Sequence, residues 1–212
     1  CETPLAALSE PDRPVPFQRF RRLVLDALAA AREPGLGLFV GQRLGASAHG
    51  MVGAAAVNSS TVRQALDINR EPAALRDRYG RTPFGQRLLL ARRLFEVGVP
   101  CVQVHWLDAD QSWDYHSNNF PGHKKSMAVV DPSVAALLGD LTDHGMLDET
   151  LVFVLGEFGR TAKVTPTAGR DHWAGCYSAL VAGGGIQGGR VHGASDRTAT
   201  VPQEYPVGPW DI

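Results

Sequence analysis

Two polar loops of this sequence concentrate ionisable side chains of the kinds that bind metal ions. Together they offer three carboxylates and two imidazoles, which are Asp114, His116, Glu157, Asp171 and His172. Imidazole and carboxylate ligands suit zinc, and they also serve manganese, iron, magnesium or calcium. A divalent ion with open coordination positions activates water or a hydroxyl nucleophile and neutralises an anionic leaving group. These residue types therefore favour a divalent metal site, with zinc as the first candidate.

Two arginines in the second loop add the means to contact an anion. Arg160 follows Glu157 by three residues, and Arg170 directly precedes Asp171. The planar guanidinium group donates paired hydrogen bonds to oxyanions such as phosphate and sulfate. The second loop therefore offers contacts to a phosphate- or sulfate-like oxyanion.

Each residue of the predicted metal site also has an ordinary structural explanation. Asp114 and His116 fit a turn, because Asp side chains often hydrogen-bond to the nearby backbone there. Glu157 fits an ion pair with the arginine three residues later, and residues 171–172 fit a surface turn. No single spacing is specific, so the site hypothesis depends on both loops meeting at one edge of the fold.

The apolar runs before these loops indicate why the loops should meet. Residues 99–106 and 151–155 predict buried strands that end where the loops begin, and residues 177–182 predict a third strand. A helix is predicted between the first two strands, with Asp131 as its N-cap and Pro132 at its first position. Strands joined by helical crossovers favour a parallel sheet, whose strand carboxyl ends collect polar loops at one edge. The sequence therefore predicts an α/β fold with a largely parallel sheet.

Other parts of the chain give weaker or more local signals. The first polar loop is predicted to run from residue 107 to about residue 125, and residues 36–57 show too little periodicity for an assignment. The remaining predicted elements are helices at residues 17–31, 62–68 and 73–79, a helix that Thr82 caps and Gly98 ends, and a short strand near residues 190–192.

Composition excludes several classes of protein. The chain has 212 residues with 44% hydrophobic content, which suits one domain with a sizeable core. A formal net charge of -1 gives no reason to expect nucleic acid as a partner. The longest apolar runs have the length of a strand, so no transmembrane segment is expected. Three cysteines do not make a disulfide framework. Because the chain begins at Cys1 and not at a methionine, we expect a fragment of a longer protein.

Six motifs, in this order along the chain, resemble the bacterial family known as domain of unknown function 1501. They lie at residues 78–85, 90–94, 113–119, 156–161, 169–173 and 182–186. This family is common in planctomycetes and is regarded as a branch of the alkaline phosphatase and sulfatase superfamily. The resemblance covers residues 58–212 and leaves residues 1–57 as an N-terminal region without assignment. It implies a single, incomplete alkaline-phosphatase-like domain built as a three-layer α/β/α sandwich.

The resemblance also implies a role for individual residues. Asp114 and His116 look like the pair that binds one metal ion from a single loop, and His172 looks like the later histidine that completes this site. Glu157 stands where the superfamily has the first residue of an Asp-His-Gly sequence, but Phe158 replaces the histidine. The resemblance places the nucleophile of the reaction after the first strand, in a part of the domain that precedes this chain.

The function implied by the resemblance is metal-dependent hydrolysis of phosphate or sulfate esters. A non-catalytic protein that keeps the fold and binds at the cell envelope or surface is the alternative, and Phe158 favours it. Members of the family often carry twin-arginine export signals, so the resemblance also implies an extracytoplasmic location. The sequence does not indicate an oligomeric state.

Overall fold

The computed structural model describes residues 36–43, 60–99, 101–106 and 113–208. Within these ranges the helices are α1 (Ser60–Leu66), α2 (Ala73–Arg78), α3 (Pro83–Glu96) and α4 (Asn119–Asp143), with 3-10 turns at Ile68–Arg70 and Leu147–Glu149. The strands are β1 (Leu36–Arg43), β2 (Val102–His105), β3 (Thr150–Gly156), β4 (Gly159–Arg160), β5 (His172–Trp173), β6 (Leu180–Gly183), β7 (Ala194–Ser195) and β8 (Pro202–Glu204). The predicted mixed α/β class is therefore confirmed.

Four of these strands form one sheet in the order β2-β1-β3-β6, and each neighbouring pair is antiparallel. The predicted parallel pairing is thus not what the described strands form. The reason is β1, which comes from the glycine-rich region without a predicted strand and lies between β2 and β3. Since β2 and β3 are both antiparallel to β1, they run in the same direction. His105 at the end of β2 pairs with Gly37, and Gly156 at the end of β3 pairs with Leu36. Their carboxyl ends therefore share one edge.

Helix α3 begins where the sequence predicts. Thr82 adopts an extended conformation, and its Oγ1 accepts a hydrogen bond of 3.2 Å from the amide of Gly85. Pro83 occupies the first turn, where its missing N–H costs nothing. Gly98 follows the helix with φ of +84°, a conformation that glycine adopts without strain. The local signals at both ends were sufficient to define this helix.

Helix α4 begins at Asn119, thirteen residues before the predicted first position at Pro132, which lies inside the helix. The amide of Asn119 donates to the carbonyl of Ala168 over 2.8 Å, and the amide of Asn118 donates to Thr167 over 3.1 Å. The first amides of a helix have no partner within the helix, and a capping side chain usually accepts their hydrogen bonds. In α4 these two distant carbonyls accept them instead. Pro132 lies on an exposed face, so its ring interrupts one helical hydrogen bond without disturbing the core. The prediction placed Pro132 in the first turn of the helix, whereas it lies in the helix interior.

The hydrophobic core lies where α3 and α4 pack against each other and against the sheet. Its fully buried members include Phe84, Leu88 and Phe95 from α3 and Leu137 and Leu141 from α4. Complete burial of one such side chain contributes about 1.5–3 kcal/mol of hydrophobic free energy. This core holds β2 and α4 in place, and they flank the first polar loop.

A charged network is buried beside this core. The guanidinium of Arg92, 2% exposed, has Nε 2.8 Å from Asp140 Oδ2, Nη1 2.7 Å from Glu96 Oε1 and Nη2 3.0 Å from Glu71 Oε1. The hydroxyl of Tyr79 donates to Asp140 Oδ2 over 2.7 Å. Burial raises the pKa of Tyr79, and the hydrogen bond to Asp140 raises it further. We call these five residues the buried ion cluster.

The chain after β3 consists mainly of short strands and turns. β4 and β5 form an antiparallel two-stranded ribbon, and β7 pairs with β8. The predicted strand at 177–182 corresponds to β6, whereas residues 190–192 form no strand. The predicted helix at residues 17–31 lies outside the described residues. Among the described helices, none is both long enough and apolar enough to cross a membrane.

Candidate metal centre

The structure brings the two polar loops together at the edge where β2 and β3 end. Asp114 Oδ1 lies 3.0 Å from His116 Nε2 and 2.9 Å from His172 Nε2. The two imidazole Nε2 atoms lie 3.2 Å apart. Three potential ligand atoms therefore form a nearly equilateral triangle, which we call the ligand triangle.

The shape of the ligand triangle fits a small divalent ion. Ligand atoms bound to one tetrahedral zinc ion at about 2.0–2.2 Å lie about 3.3 Å from one another. Two imidazoles and one carboxylate form a common donor set for zinc with an open position, and iron also accepts it. The His116 and His172 side chains are 50% and 47% exposed, so the triangle is accessible from solvent. The residues present thus fit the divalent ion that the sequence predicts.

The charge on Asp114 is stabilised by its neighbours. Partial burial by itself would raise the pKa of this carboxyl group, but the hydrogen bond with His172 and the charges of Arg160, His116 and His172 outweigh it. The net result is a pKa below the ordinary value for aspartate. Asp114 is therefore ionised at neutral pH, the form in which a carboxylate binds a metal ion.

Asp171 lies behind one imidazole and not in the triangle itself. Its Oδ1 is 3.2 Å from His116 Nδ1, on the ring edge opposite Nε2. A carboxylate at this position favours the tautomer with its proton on Nδ1, and the lone pair of Nε2 then faces the triangle. Asp171 thus orients the His116 ring, an arrangement that is often found around metal-bound histidines.

Glu157 is held by Arg160 and is not among the three converging ligand atoms. Arg160 Nη2 lies 3.1 Å from Glu157 Oε1 and 3.3 Å from Asp114 Oδ1. The ion pair between Glu157 and Arg160 was the ordinary explanation of this glutamate, and it is the arrangement in the structure. Nη1 of Arg160 is buried and has no hydrogen-bond partner among the described residues. Arg160 therefore links Glu157 to the ligand triangle.

Arg170 is directed toward the backbone of its own loop. Its Nη1 donates to the carbonyl of Thr161 over 2.6 Å and to that of Ala162 over 2.8 Å. The guanidinium carbon also lies 5.8 Å from the ring centre of Phe120. These contacts brace the loop, so the structure gives Arg170 a positioning role and leaves Arg160 as the arginine beside the ligand triangle.

Close backbone contacts join the two loops. The hydroxyl of Thr167 donates to the carbonyl of His116 over 3.0 Å, and the amide of Arg170 donates to that of Tyr115 over 3.1 Å. A Cβ atom on Gly169 would lie 1.9 Å from the carbonyl oxygen of His116, so only glycine fits there. Sequence reasoning missed Thr167 and Gly169 as positioning residues. Gly169 belongs to a recognised motif, but nothing local indicates which backbone it approaches.

Phe158 packs against the ligand triangle from one side. Its ring centre lies 4.6 Å from that of His172, and the Arg160 guanidinium carbon lies 5.0 Å from the same ring. The apolar ring thus contacts both an imidazole and a guanidinium group beside Asp114. Since Phe158 has no ligand atom, it adds nothing to metal coordination itself.

The fold and the site define a mixed α/β protein with a candidate metal centre on two joined loops. The chain belongs to the family described as protein of unknown function (DUF1501), whose model matches residues 2–212. The family resemblance drawn from the six motifs is therefore confirmed, and the match extends further toward the N-terminus than the motifs do.

One curated protein is similar to this chain over a short segment. It is the ornithine utilization regulator of Pseudomonas aeruginosa, 41% identical over 61 residues. The segment is 29% of this chain and 18% of the regulator. A match of this extent does not carry the regulator's function to this chain. No solved structure gives a significant match.

Proposed function

We propose that this chain is part of a metal-dependent hydrolase that acts on small phosphate or sulfate esters. The observation that carries the proposal is the ligand triangle of Asp114, His116 and His172 with the Arg160 guanidinium beside it. A cation site next to a fixed arginine suits an ester with an anionic group, because both attract its oxygen atoms. The nucleophile is not assigned to any residue of this chain.

In this proposal the chain's own residues have distinct tasks. Asp114, His116 and His172 would hold the ion, with zinc favoured and manganese, iron, magnesium or calcium as alternatives. When bound, such an ion supplies Lewis-acid polarisation of an ester oxygen and stabilises a deprotonated nucleophile. Asp171 keeps His116 in the tautomer that presents Nε2. The positive charge of Arg160, whose Nη2 lies beside Asp114, would attract a substrate oxyanion.

Membership of the alkaline phosphatase and sulfatase superfamily is part of the same proposal. The common direction of β2 and β3, with α4 crossing between them, supports it, because such crossovers build the three-layer sandwich expected of that superfamily. The antiparallel β1 between them counts against a largely parallel sheet. A planctomycete-type branch of the family and an extracytoplasmic, twin-arginine-exported location also remain proposals.

A non-catalytic binding protein at the cell envelope or surface is the second candidate. The observation that favours it is the environment of Glu157. This carboxylate is engaged by Arg160, and the next residue is Phe158 and not a further ligand. Such a site would keep one ion for stability or for attachment of an anionic partner, without a second metal to assist bond cleavage.

One experiment distinguishes the two candidates. The whole protein of which this chain is proposed to be part is loaded with zinc or manganese, and hydrolysis of 4-nitrophenyl phosphate and 4-nitrophenyl sulfate is measured alongside metal content. The hydrolase proposal predicts turnover that a chelator abolishes and that Asp114→Ala lacks, whereas Asp131→Ala, which removes an exposed carboxylate on α4, retains it. Bound metal without turnover of either ester would support the binding protein. Absence of bound metal would contradict both.

A further inference from the structure

A second concave site lies on the other side of the β4–β5 ribbon from the ligand triangle. Successive side chains of a strand point to opposite faces. His172 faces the triangle, and Trp173 therefore lies on the reverse face. There the loop after β4 and the turn after β7 enclose a pocket of about 520 Å³. Its lining residues are Thr161, Ala162, Lys163, Trp173, Arg197, Thr198 and Thr200.

Two cationic residues belong to the lining of this pocket. Lys163 and Arg197 are exposed, and neither forms an ion pair with any described residue. The nearest carboxylate in sequence, Asp196, is not part of the lining and is bound within its own turn. Its Oδ2 accepts hydrogen bonds from the hydroxyls of Thr198 and Thr200 over 2.5 and 2.9 Å, and its Oδ1 accepts one from the amide of Thr200 over 2.7 Å. The bond from Thr198 contributes most to holding the pKa of Asp196 below the ordinary value. The pocket therefore has two cationic residues in its lining and one carboxylate behind it, which leaves a net positive charge.

The rest of the lining is mostly apolar and fixed in position. The Trp173 indole is 38% exposed, which leaves part of the ring free to contact a ligand. Its Nε1 donates to the carbonyl of Thr200 over 2.6 Å and ties the ribbon to the opposite turn. A flat ring of a ligand can stack on the indole, and an indole already held in place loses little entropy on binding.

We infer that this pocket binds small molecules that combine a flat ring with one anionic group, such as a sulfate, sulfonate, phosphate or carboxylate. Trp173 contacts the ring, while Lys163 and Arg197 contact the anion. The site is separate from the ligand triangle, so it binds without a metal ion and does not depend on the proposed function.

Titration calorimetry with naphthalene-2-sulfonate tests this inference on the full chain in the presence of EDTA. We expect binding with a dissociation constant of about 1 mM or below. The double variant Lys163→Ala/Arg197→Ala should weaken binding at least about tenfold, since both charge-assisted contacts are lost. Lys124→Ala/Arg190→Ala, which removes two exposed cations elsewhere, should leave it unchanged. Neither 2-naphthol nor methanesulfonate should match the affinity of the probe.

The Asp114→Asn variant separates this pocket from the ligand triangle. We expect it to bind naphthalene-2-sulfonate as the unaltered chain does, with or without added zinc. Trp173→Leu should weaken binding while the far-UV circular dichroism spectrum stays the same. Undetectable binding, equal binding by the Lys163→Ala/Arg197→Ala variant, or binding that requires both zinc and Asp114 would each overturn the inference.

Discussion

The molecule contains two charged clusters, which differ in how deeply they are buried and in how far their charges are paired within the fold. In the buried ion cluster, Arg92 is 2% exposed and contacts three carboxylates, one of which also accepts a hydrogen bond from Tyr79. In the ligand triangle, two imidazoles that are about half exposed converge on a single oxygen of Asp114. The first cluster satisfies its own charges within the fold. The second presents three atoms with lone pairs to one point that solvent reaches.

This difference separates a structural role from a binding role. A buried charge is stable only when its partners surround it, because water no longer compensates it. Ligand atoms that converge at the surface do not stabilise the fold to a comparable extent. They are instead accessible to an ion that binds from solution. The two clusters should therefore respond oppositely to substitution. The buried ion cluster should govern unfolding, and the ligand triangle should govern metal affinity.

The largest effect is expected for Arg92→Met. The substitution leaves the buried Asp140 carboxylate without its guanidinium partner, and loss of one partner of a buried ion pair costs about 3–5 kcal/mol. Glu71 keeps its ion pair with Arg93, and Glu96 is exposed. Urea unfolding followed by circular dichroism measures the loss. Zinc affinity of the folded fraction should stay unchanged.

The control for this variant is Arg87→Leu on the same helix. Arg87 is exposed, so we expect the free energy of unfolding to change by no more than about 0.5 kcal/mol. If Arg92→Met lowers the free energy of unfolding by less than about 1 kcal/mol, the buried ion cluster does not have the structural role that distinguishes it from the ligand triangle.

The next effect concerns the ligand triangle. Replacement of Asp114 or His172 by Ala should lower zinc affinity more than about 100-fold, since even residues that only orient ligands cost about 10–100-fold. The unfolding midpoint of the metal-free protein should move little. Competition with a chromophoric chelator measures the affinity, and Asp131→Ala serves as control. Zinc affinity unaltered in both variants would contradict the assignment of these ligands.

Asp171 and Glu157 provide a finer test of the same site. Asp171→Asn weakens the contact that orients His116, and zinc affinity should fall about 10–100-fold. Glu157→Gln alters a carboxylate that pairs with Arg160, so its effect on zinc affinity should be smaller than that of Asp171→Asn. The reverse order would mean that Glu157, as the sequence suggested, is a ligand and that the triangle is incomplete.

The smallest effect is expected for the N-cap of α3. Thr82→Ala removes the acceptor of the Gly85 amide and should lower the free energy of unfolding by about 1 kcal/mol. Zinc affinity should not change, because α3 belongs to the core that surrounds the buried ion cluster. A change in zinc affinity of the folded protein would show that the two clusters are coupled through the helices. Thr82→Ser is the matched variant, and it should retain most of the stability.

The sequence predicts an element well where its signals are local. The cap at Thr82 and the glycine at position 98 lie beside the helix they limit, and α3 was correctly predicted. The start of α4 depends on carbonyls of residues 167 and 168, about fifty positions away, and no local pattern reveals them. Strand β1 comes from a glycine-rich segment with weak periodicity, and its insertion between β2 and β3 replaces the parallel pairing.

The site was more predictable than the sheet around it. The meeting of the two loops required only that β2 and β3 end at one edge, and their common direction ensures this even with β1 between them. The approach of His172 to the other loop depends in addition on the contacts of Thr167 and Gly169 with the backbone of His116, which no local pattern reveals. The engagement of Glu157 by Arg160 and the direction of Arg170 depend on side-chain packing, which the sequence does not encode in any short pattern.

X-ray diffraction at the zinc absorption edge, from crystals of the chain grown with zinc, tests the central claim most directly. The account predicts an anomalous peak within about 2.0–2.2 Å of Asp114 Oδ1, His116 Nε2 and His172 Nε2, with Glu157 still paired to Arg160. Absence of a peak at the triangle, or a peak bound by Glu157 in place of these atoms, would contradict it.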